Sequence, residues 1–457
     1  MKLSPSAALF VALSTFSLAL HAETPALPAA WKSGQPMSKS SAVGDDWWLV
    51  FKDAQLTQMM GEATSTYPGL QAVIARVEQA RAAVTIARSA WFPRLDATGG
   101  ASRDRYSSTT SFFLPASNTF NTGIELAYEL DLWGRIRGGV NEARAQEARA
   151  EADAYALGLM LRSEVARVYF ALRSIDEEKQ VLSDTLKLRQ EALDLAAARV
   201  EAGATSELDR VRAEAELAGT EAEIAALTGP RTELENSLAL ALGRLASSYK
   251  VPVRKLPVAL PAIPQVVPSE LVQRRPDVSS AMKQVEAARA RVGVAKANYF
   301  PKVMLGSRVG LATAETSDYF DGDSKEWSIG LSFSVPLFSG GQRKATVDSA
   351  KAVLKEVTGN YEEKVLTAFK EVESLMATLA AQRTQANAQE RLQTAAEAAS
   401  KLARQRYTEG VTTYLEVIEA DRTALSARRS LVQLHGQRLL TTVQLIKALG
   451  GGWKAAQ

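Results

Sequence analysis

PGLQAVIARVEQARAAVTIARSAWFPR, residues 68–94, and PDVSSAMKQVEAARARVGVAKANYFPK, residues 276–302, are two copies of one segment. Pro68 aligns with Pro276 and Pro93 with Pro301 without a gap. Between them Val77, Glu78, Ala80, Arg81, Val84 and Ala87 recur as Val285, Glu286, Ala288, Arg289, Val292 and Ala295. Two further pairs keep nearly the same offset. RVEAGATSELD at 199–209 matches RYTEGVTTYLE at 406–416, setting Arg199 on Arg406, Gly203 on Gly410 and Leu208 on Leu415. Ala241-Leu242-Gly243 matches Ala448-Leu449-Gly450. The offset is 276 − 68 = 208 at the first pair and 406 − 199 = 207 at the second. Matches in one order at one offset indicate tandem duplication. A period this long makes each copy half of a pseudo-symmetric protomer, not a solenoid unit.

Each half contains one very long helix. Between Gly139 and Glu201 there is no proline, and Ala, Glu, Arg and Leu dominate; these are strong helix formers. Gln342 to Thr408 is equally free of proline. At ~1.5 Å per residue each helix runs roughly 95–100 Å, and its recurring small residues suit side-by-side coiled-coil packing. The return is made in two pieces. Ser206 to Gly243 is one stretch of about 57 Å, with a kink expected at Gly229-Pro230 because proline removes a helical hydrogen bond. A Pro-rich segment follows, and a second helix from Ser269 to Tyr299 adds roughly 45 Å. One long helix down and two stacked helices back is the arithmetic of a cylinder.

Strands fill the gaps between the helices. In WSIGLSFSVPL (327–337) Trp327, Ile329, Leu331, Phe333, Val335 and Leu337 alternate with small or polar residues. In GIELAYELDL (123–132) Ile124, Leu126, Tyr128, Leu130 and Leu132 alternate with Glu125, Ala127, Glu129 and Asp131. Period two is the strand signature, and an apolar face opposite a small or acidic one suits a barrel with lipid outside and water inside. Leu95–Arg105 and Val303–Ala312 are the weaker partner strands. Ser, Thr, Asn and Asp mark 106–121 and 313–326 as connecting loops. Strands of this length can cross a tilted barrel wall. Four cannot close one, and an open edge cannot sit in lipid, so the chain must oligomerise; a dimer supplies eight strands and a trimer twelve. A soluble β-sandwich on a coiled coil is disfavoured, because sandwiches rarely sit midway between two long helical arms.

Trp47-Trp48, Phe51, Asp53 and Leu56; Ala80-Arg81 and Ala87-Arg88 before Phe92-Pro93; Glu129-Leu130-Asp131-Leu132-Trp133-Gly134-Arg135; Val335-Pro336-Leu337-Phe338 with Gly340-Gly341; and Arg406-Tyr407 with Gly410 and Leu415-Glu416 occur in this order. In this order the chain resembles the TolC-type outer-membrane efflux channels that serve resistance–nodulation–division pumps, over nearly all of its mature length. The resemblance implies a mixed α and transmembrane β fold: four strands per chain in a trimeric, twelve-stranded β-barrel, continued by a long α-helical coiled-coil tunnel. It also implies docking onto a periplasmic adaptor and an inner-membrane transporter of the RND type. Many members of this branch carry a lipidated cysteine after the signal. This chain has no cysteine, so attachment rests on the barrel in outer-membrane lipid.

Gly203 and Gly410 read as hairpin tips, since glycine suits the left-handed conformation that ends a helix. Ser206 with Asp209, and Thr413 with Glu416, have capping-box spacing. Glu416 and Glu419 lie three apart on one helical face inside the second tip. They are caps at a helix N-terminus, or rings of carboxylates around a narrow pore, which would favour cations. The resemblance supports the rings, because acidic residues constrict the family's entrance at matching positions. It also puts Tyr407 and Asp209 where the family closes its tip with polar links between neighbouring hairpins. Thr412 stands where the family often has a basic residue.

The division expected is a signal peptide at 1–22, an extended segment at 23–53, repeat 1 at 54–243, a Pro-rich equatorial linker at 244–268, repeat 2 at 269–450 and a tail at 451–457. Lys2 and the apolar run from Ala7 to Leu20 make the signal, with cleavage after Ala22. A formal charge of +3 and the lack of a basic face exclude a nucleic-acid partner. The lack of cysteine excludes thiolate metal sites and thiol nucleophiles, and only His21 and His435 exist as imidazole ligands. With no phosphate loop either, no enzyme and no cofactor are expected. The reading is a passive exit duct for small molecules. A type I protein secretion channel and a poreless coiled-coil envelope protein are the rivals.

Overall fold

Two 67-residue helices set the dimensions of the protomer. This computed structural model describes residues 31, 32, 46–105, 107, 109, 115–256, 261, 271, 272 and 274–451. The signal segment, most of the 23–53 segment and most of the Pro-rich linker lie outside the described residues. The elements run α1 (Ala54–Thr66), α2 (Pro68–Ser89), β1 (Arg94–Asp104), β2 (Ser117–Leu130), α3 (Arg135–Glu201), α4 (Glu207–Ala226), α5 (Thr228–Ala241), α6 (Pro276–Ala297), β3 (Lys302–Thr313), β4 (Lys325–Ser334), α7 (Gln342–Thr408) and α8 (Tyr414–Ala448). The second half repeats the order of the first: helix, two strands, long helix, returning helix.

The long helices begin four residues earlier at α3 than the composition indicated, because the glycines at 138 and 139 are absorbed into its first turn. Asp131 caps that turn: its Oδ1 accepts from the Ile136 amide at 3.1 Å and its Oδ2 from the Arg137 amide at 2.9 Å. Arg135 forks onto Glu129 at 2.7 and 2.6 Å. The ELDLWGRIR stretch is therefore a strand-to-helix joint.

The return helix breaks at Leu227, not at Gly229-Pro230. Pro230 falls in the first turn of α5, where the ring fits and few amide donors are needed. The second returning helix is described from Pro276 to Ala297; its expected start at Ser269 lies outside the described residues. Arg275, at φ −89° and ψ 118°, is extended, as the residue before a proline prefers. Gly243 and Gly450 end α5 and α8 with φ 67° and 89°. A Cβ at Gly243 would lie 2.7 Å from the Thr66 carbonyl oxygen and one at Gly450 2.2 Å from that of Arg274. The repeated Ala-Leu-Gly thus closes each half against the foot of its own first helix.

The sheet is antiparallel in the order β1-β2-β3-β4. β2 starts at Ser117 and β4 at Lys325, inside the segments read as loops, since loop composition also fits a strand rising out of a membrane. β4 ends at Ser334, because Pro336 cannot donate to a ladder. Register aligns Leu95 with Leu126, Leu126 with Ser307, and Ser307 with Ile329. One face carries Ile124, Val309 and Trp327, side by side and 58%, 61% and 77% exposed. The other carries Asp96, Glu125, Arg308 and Ser328 in one row. Arg308 reaches Glu125 at 3.0 Å and Glu326 at 2.9 Å, tying three strands on the polar side. Strand edges β1 and β4 have no neighbour among the described residues of the protomer.

The largest core lies at the helical equator. Trp47, Phe51, Leu56 and Met60 pack on Tyr169, Phe170 and Leu172 of α3, with Leu238, Leu242, Leu439 and Val443 completing it. Beside it, Arg173 and Asp176 are fully buried and paired at 2.8 Å. Arg173 also donates to the Pro252 carbonyl at 2.7 Å, and Arg231 joins Asp176 at 2.7 Å and the Val251 carbonyl at 2.9 Å. These donors fasten the start of the Pro-rich linker to the helices.

Candidate functional site

The two helical hairpins turn at Gly203 (φ 67°) and Gly410 (φ 77°), a conformation that disfavours any side chain. Their tips meet in a small apolar core of Ala196, Ala213, Tyr407, Tyr414, Val417 and Ile418. Tyr407 and Tyr414 lie 5.3 Å apart. Burial pushes the Tyr414 phenol up to about 12, with Asp421 adding to the effect, so the Tyr414 ring packs there neutral at physiological pH.

The capping boxes take a different form. Ser206 caps α4 through its Oγ, which accepts from the Leu208 amide at 3.0 Å. Asp209 does not return to Ser206; it accepts from Thr205 and lies 3.7 Å from Arg212. Thr413 stands at the N-cap of α8 without a side-chain cap bond, and Glu416 accepts from Thr412. In both tips the acid engages the threonine four residues before it, one ahead of the N-cap. The repeat conserves this geometry between its two copies, Thr205–Asp209 and Thr412–Glu416.

Tyr407 and Asp209 are not brought together within one protomer. Tyr407 is buried, and its hydroxyl has no hydrogen-bond partner among the described residues. What joins the two tips is Arg199, which sequence reasoning placed only as a repeat match. Its guanidinium donates to the carbonyls of Tyr407 at 3.0 Å and Thr408 at 2.9 Å and lies 4.5 Å from the Tyr407 ring centre. A cation on the last carbonyls of a helix also complements the helix dipole. The signal was an arginine one turn before a tip glycine.

Glu416 and Glu419 are both exposed. Glu416 is held by Thr412. The Glu419 carboxylate has no side-chain bond among the described residues, because Arg422, one turn on, is drawn to Glu216 with its Nε at 2.9 Å. Farther up, Arg189 pairs with Glu216 at 2.8 Å and Arg429 with Glu178 at 2.8 Å and Glu223 at 3.0 Å. Arg189, Glu216, Glu223, Arg422 and Arg429 line a groove of about 590 Å³ between α3, α4 and α8. Its charges satisfy one another, so it works as a seam between the hairpins.

Residues 59–244 and 267–451 match the family described as outer membrane efflux protein. The chain belongs to that family. This efflux protein is 32% identical to the solvent efflux pump outer membrane protein SrpC of Pseudomonas putida, over 89% of this chain and 87% of the relative. It is 28% identical to the cation efflux system protein CusC of Escherichia coli, over 97% of each. The solved structure of the outer-membrane channel OprN superposes with a TM-score of 0.88 at 30% identity, covering 94% of this chain and 98% of that one. The family is one of outer-membrane channels and not of enzymes. The efflux protein accordingly resides in the outer membrane, with the sheet as its barrel segment and the helices as its tunnel.

Proposed function

We propose that three copies of the chain close their sheets into a twelve-stranded barrel and their helices into one tunnel, the exit duct of a tripartite efflux pump. The observation that carries this reading is the sheet: one apolar face that leaves Ile124, Val309, Trp327, Ile329, Leu331 and Phe333 exposed, one polar face, and two edges unpaired among the described residues, which lipid does not tolerate. A periplasmic adaptor and an RND-type inner-membrane transporter deliver small molecules to the tips, and no catalytic step occurs in the duct. Relatives named for solvent and for cation efflux support a wall that takes what the transporter selects.

At the tips, Glu416 and Glu419 of three chains form the constriction, Glu419 carrying the freer charge. Gly203, Gly410, Ser206 and Thr413 hold the turns. Tyr407 and Asp209 stand at the tip as the candidate polar links between neighbouring hairpins, Asp209 from the tip of the first hairpin and Tyr407 from the tip of the second. The two halves of the chain divide at the linker, repeat 1 at 54–243 and repeat 2 at 269–450. Planar-bilayer recording tests the proposal. The purified protein should conduct, with a cation preference that falls in Glu416→Gln with Glu419→Gln. A protein that inserts but never conducts would refute the duct.

A further inference from the structure

Where the strands end and the helices begin, the protomer carries a collar that repeats with its two halves. Trp91-Phe92 and Tyr299-Phe300 occupy equivalent positions just before β1 and β3. Phe92 is 69% exposed, Phe300 47% and Phe338, at the exit of β4, 90%. Trp133 stacks on Phe300 at 4.8 Å and donates from Nε1 to the Pro301 carbonyl at 2.8 Å. These exposed rings lie around the tunnel end of the sheet, next to its strand ends, the level at which amphipathic aromatic rings favour the boundary between hydrocarbon and headgroups.

Cations share the same level. Arg88 and Lys296 are equivalent residues in the last turns of α2 and α6, and Lys344 lies in the first turn of α7. All three are exposed, and among the described residues none pairs with a carboxylate. The nearest acids of the joint are already taken, Asp131 by the start of α3 and Glu129 by Arg135. Arg343 adds its guanidinium 5.3 Å from the Tyr299 ring centre. Such side chains can lay their stems along apolar surface and lift their charges to an interface.

The geometry points to a binding collar for anionic phospholipid headgroups of the periplasmic leaflet. Arg88, Lys296 and Lys344 engage the phosphates, and Phe92, Trp133 and Phe300 rest at the glycerol level. The leaflet follows from the order of the chain, since the collar sits on the tunnel side of the sheet and the tunnel occupies the periplasm. Basic residues beside a membrane surface gain from anionic lipid, and the collar has unpaired charge to offer. The inference rests on the outer-membrane placement of the sheet and adds to it a lipid class and the residues that choose it.

The experiment offers phosphatidylglycerol or phosphatidylethanolamine at equal concentration to the full-length protein in detergent and counts retained lipid by native mass spectrometry. The wild-type protein should prefer phosphatidylglycerol. Arg88→Gln, Lys296→Gln and Lys344→Gln together should lower that preference, by about fivefold per neutralised charge, while phosphatidylethanolamine retention and helix content stay unchanged. Arg88→Lys with Lys296→Arg keeps the charges and should keep the preference, which separates lipid choice from misfolding. An equal preference in the wild-type and triple-glutamine proteins overturns the proposal; the cations then face the lumen or an acidic surface of the adaptor. Failure to retain either lipid would count against the apolar face as the lipid contact, and so against the placement itself.

Discussion

Asp176 is fully buried between two arginines, Arg173 at 2.8 Å and Arg231 at 2.7 Å. Removing one member of such a group leaves uncompensated charge in a dry core, at a cost of about 3–5 kcal/mol. Asp176→Ala should therefore lower the melting temperature sharply, and a melt like that of the wild-type protein would show that water reaches the site. Arg199 offers a gentler test at the tips. Arg199→Gln removes its bonds to the Tyr407 and Thr408 carbonyls, each worth roughly 0.5–1.5 kcal/mol, and should raise open-channel events in planar bilayers without dissolving the assembly. At this scale the sequence was partly legible. The acids at 209 and 416 were visible at capping distance. Which threonine they engage was not, because Thr205 and Ser206, or Thr412 and Thr413, offer adjacent hydroxyls. Only the backbone angles at the helix start choose between them.

Among the elements, the strands were the most legible, since alternation in 327–333 survives directly as an exposed face. Leu331 lies on the face of Phe333 and Ile329, and Ser332 on the opposite one. Leu331→Arg should destabilise the barrel by roughly 2–4 kcal/mol if it lies near the midplane, whereas Ser332→Arg should be tolerated. Equal loss of folded protein would show that the faces are exchanged. β1 was harder to read, because Gly99 and Gly100 offer neither bulk nor branching and Leu95 is its one large apolar side chain, so only its pairing with β2 gives it a face. Helix ends went astray at prolines. A Gly-Pro pair reads equally as a kink or as a fresh start, and tertiary contact decides; here Arg231, directly after Pro230, is tied to Asp176 and the linker, so α5 starts at the level of that anchor.

For the whole molecule, duplication was the informative feature. It fixed both long helices, both tips and both sheet halves from a single chain, while the partners of the sheet edges stayed outside anything one protomer can display. Stability of the assembled duct should also fall in alkali. Burial, with the hydrogen bond to Asp53, raises the Tyr169 phenol to about 12, above its unfolded value of about 10. A folded pKa above the unfolded one gives stability that is complete below about 10 and is lost as the pH rises through about 12. Melting temperatures should decline across that window, and less so in Tyr169→Phe. The central claim is that the unpaired edges β1 and β4 close between three chains. Native mass spectrometry of the purified protein in detergent tests it most directly. The account predicts a single species of three protomers that persists on dilution; a monomer or a dimer as the stable species would contradict it.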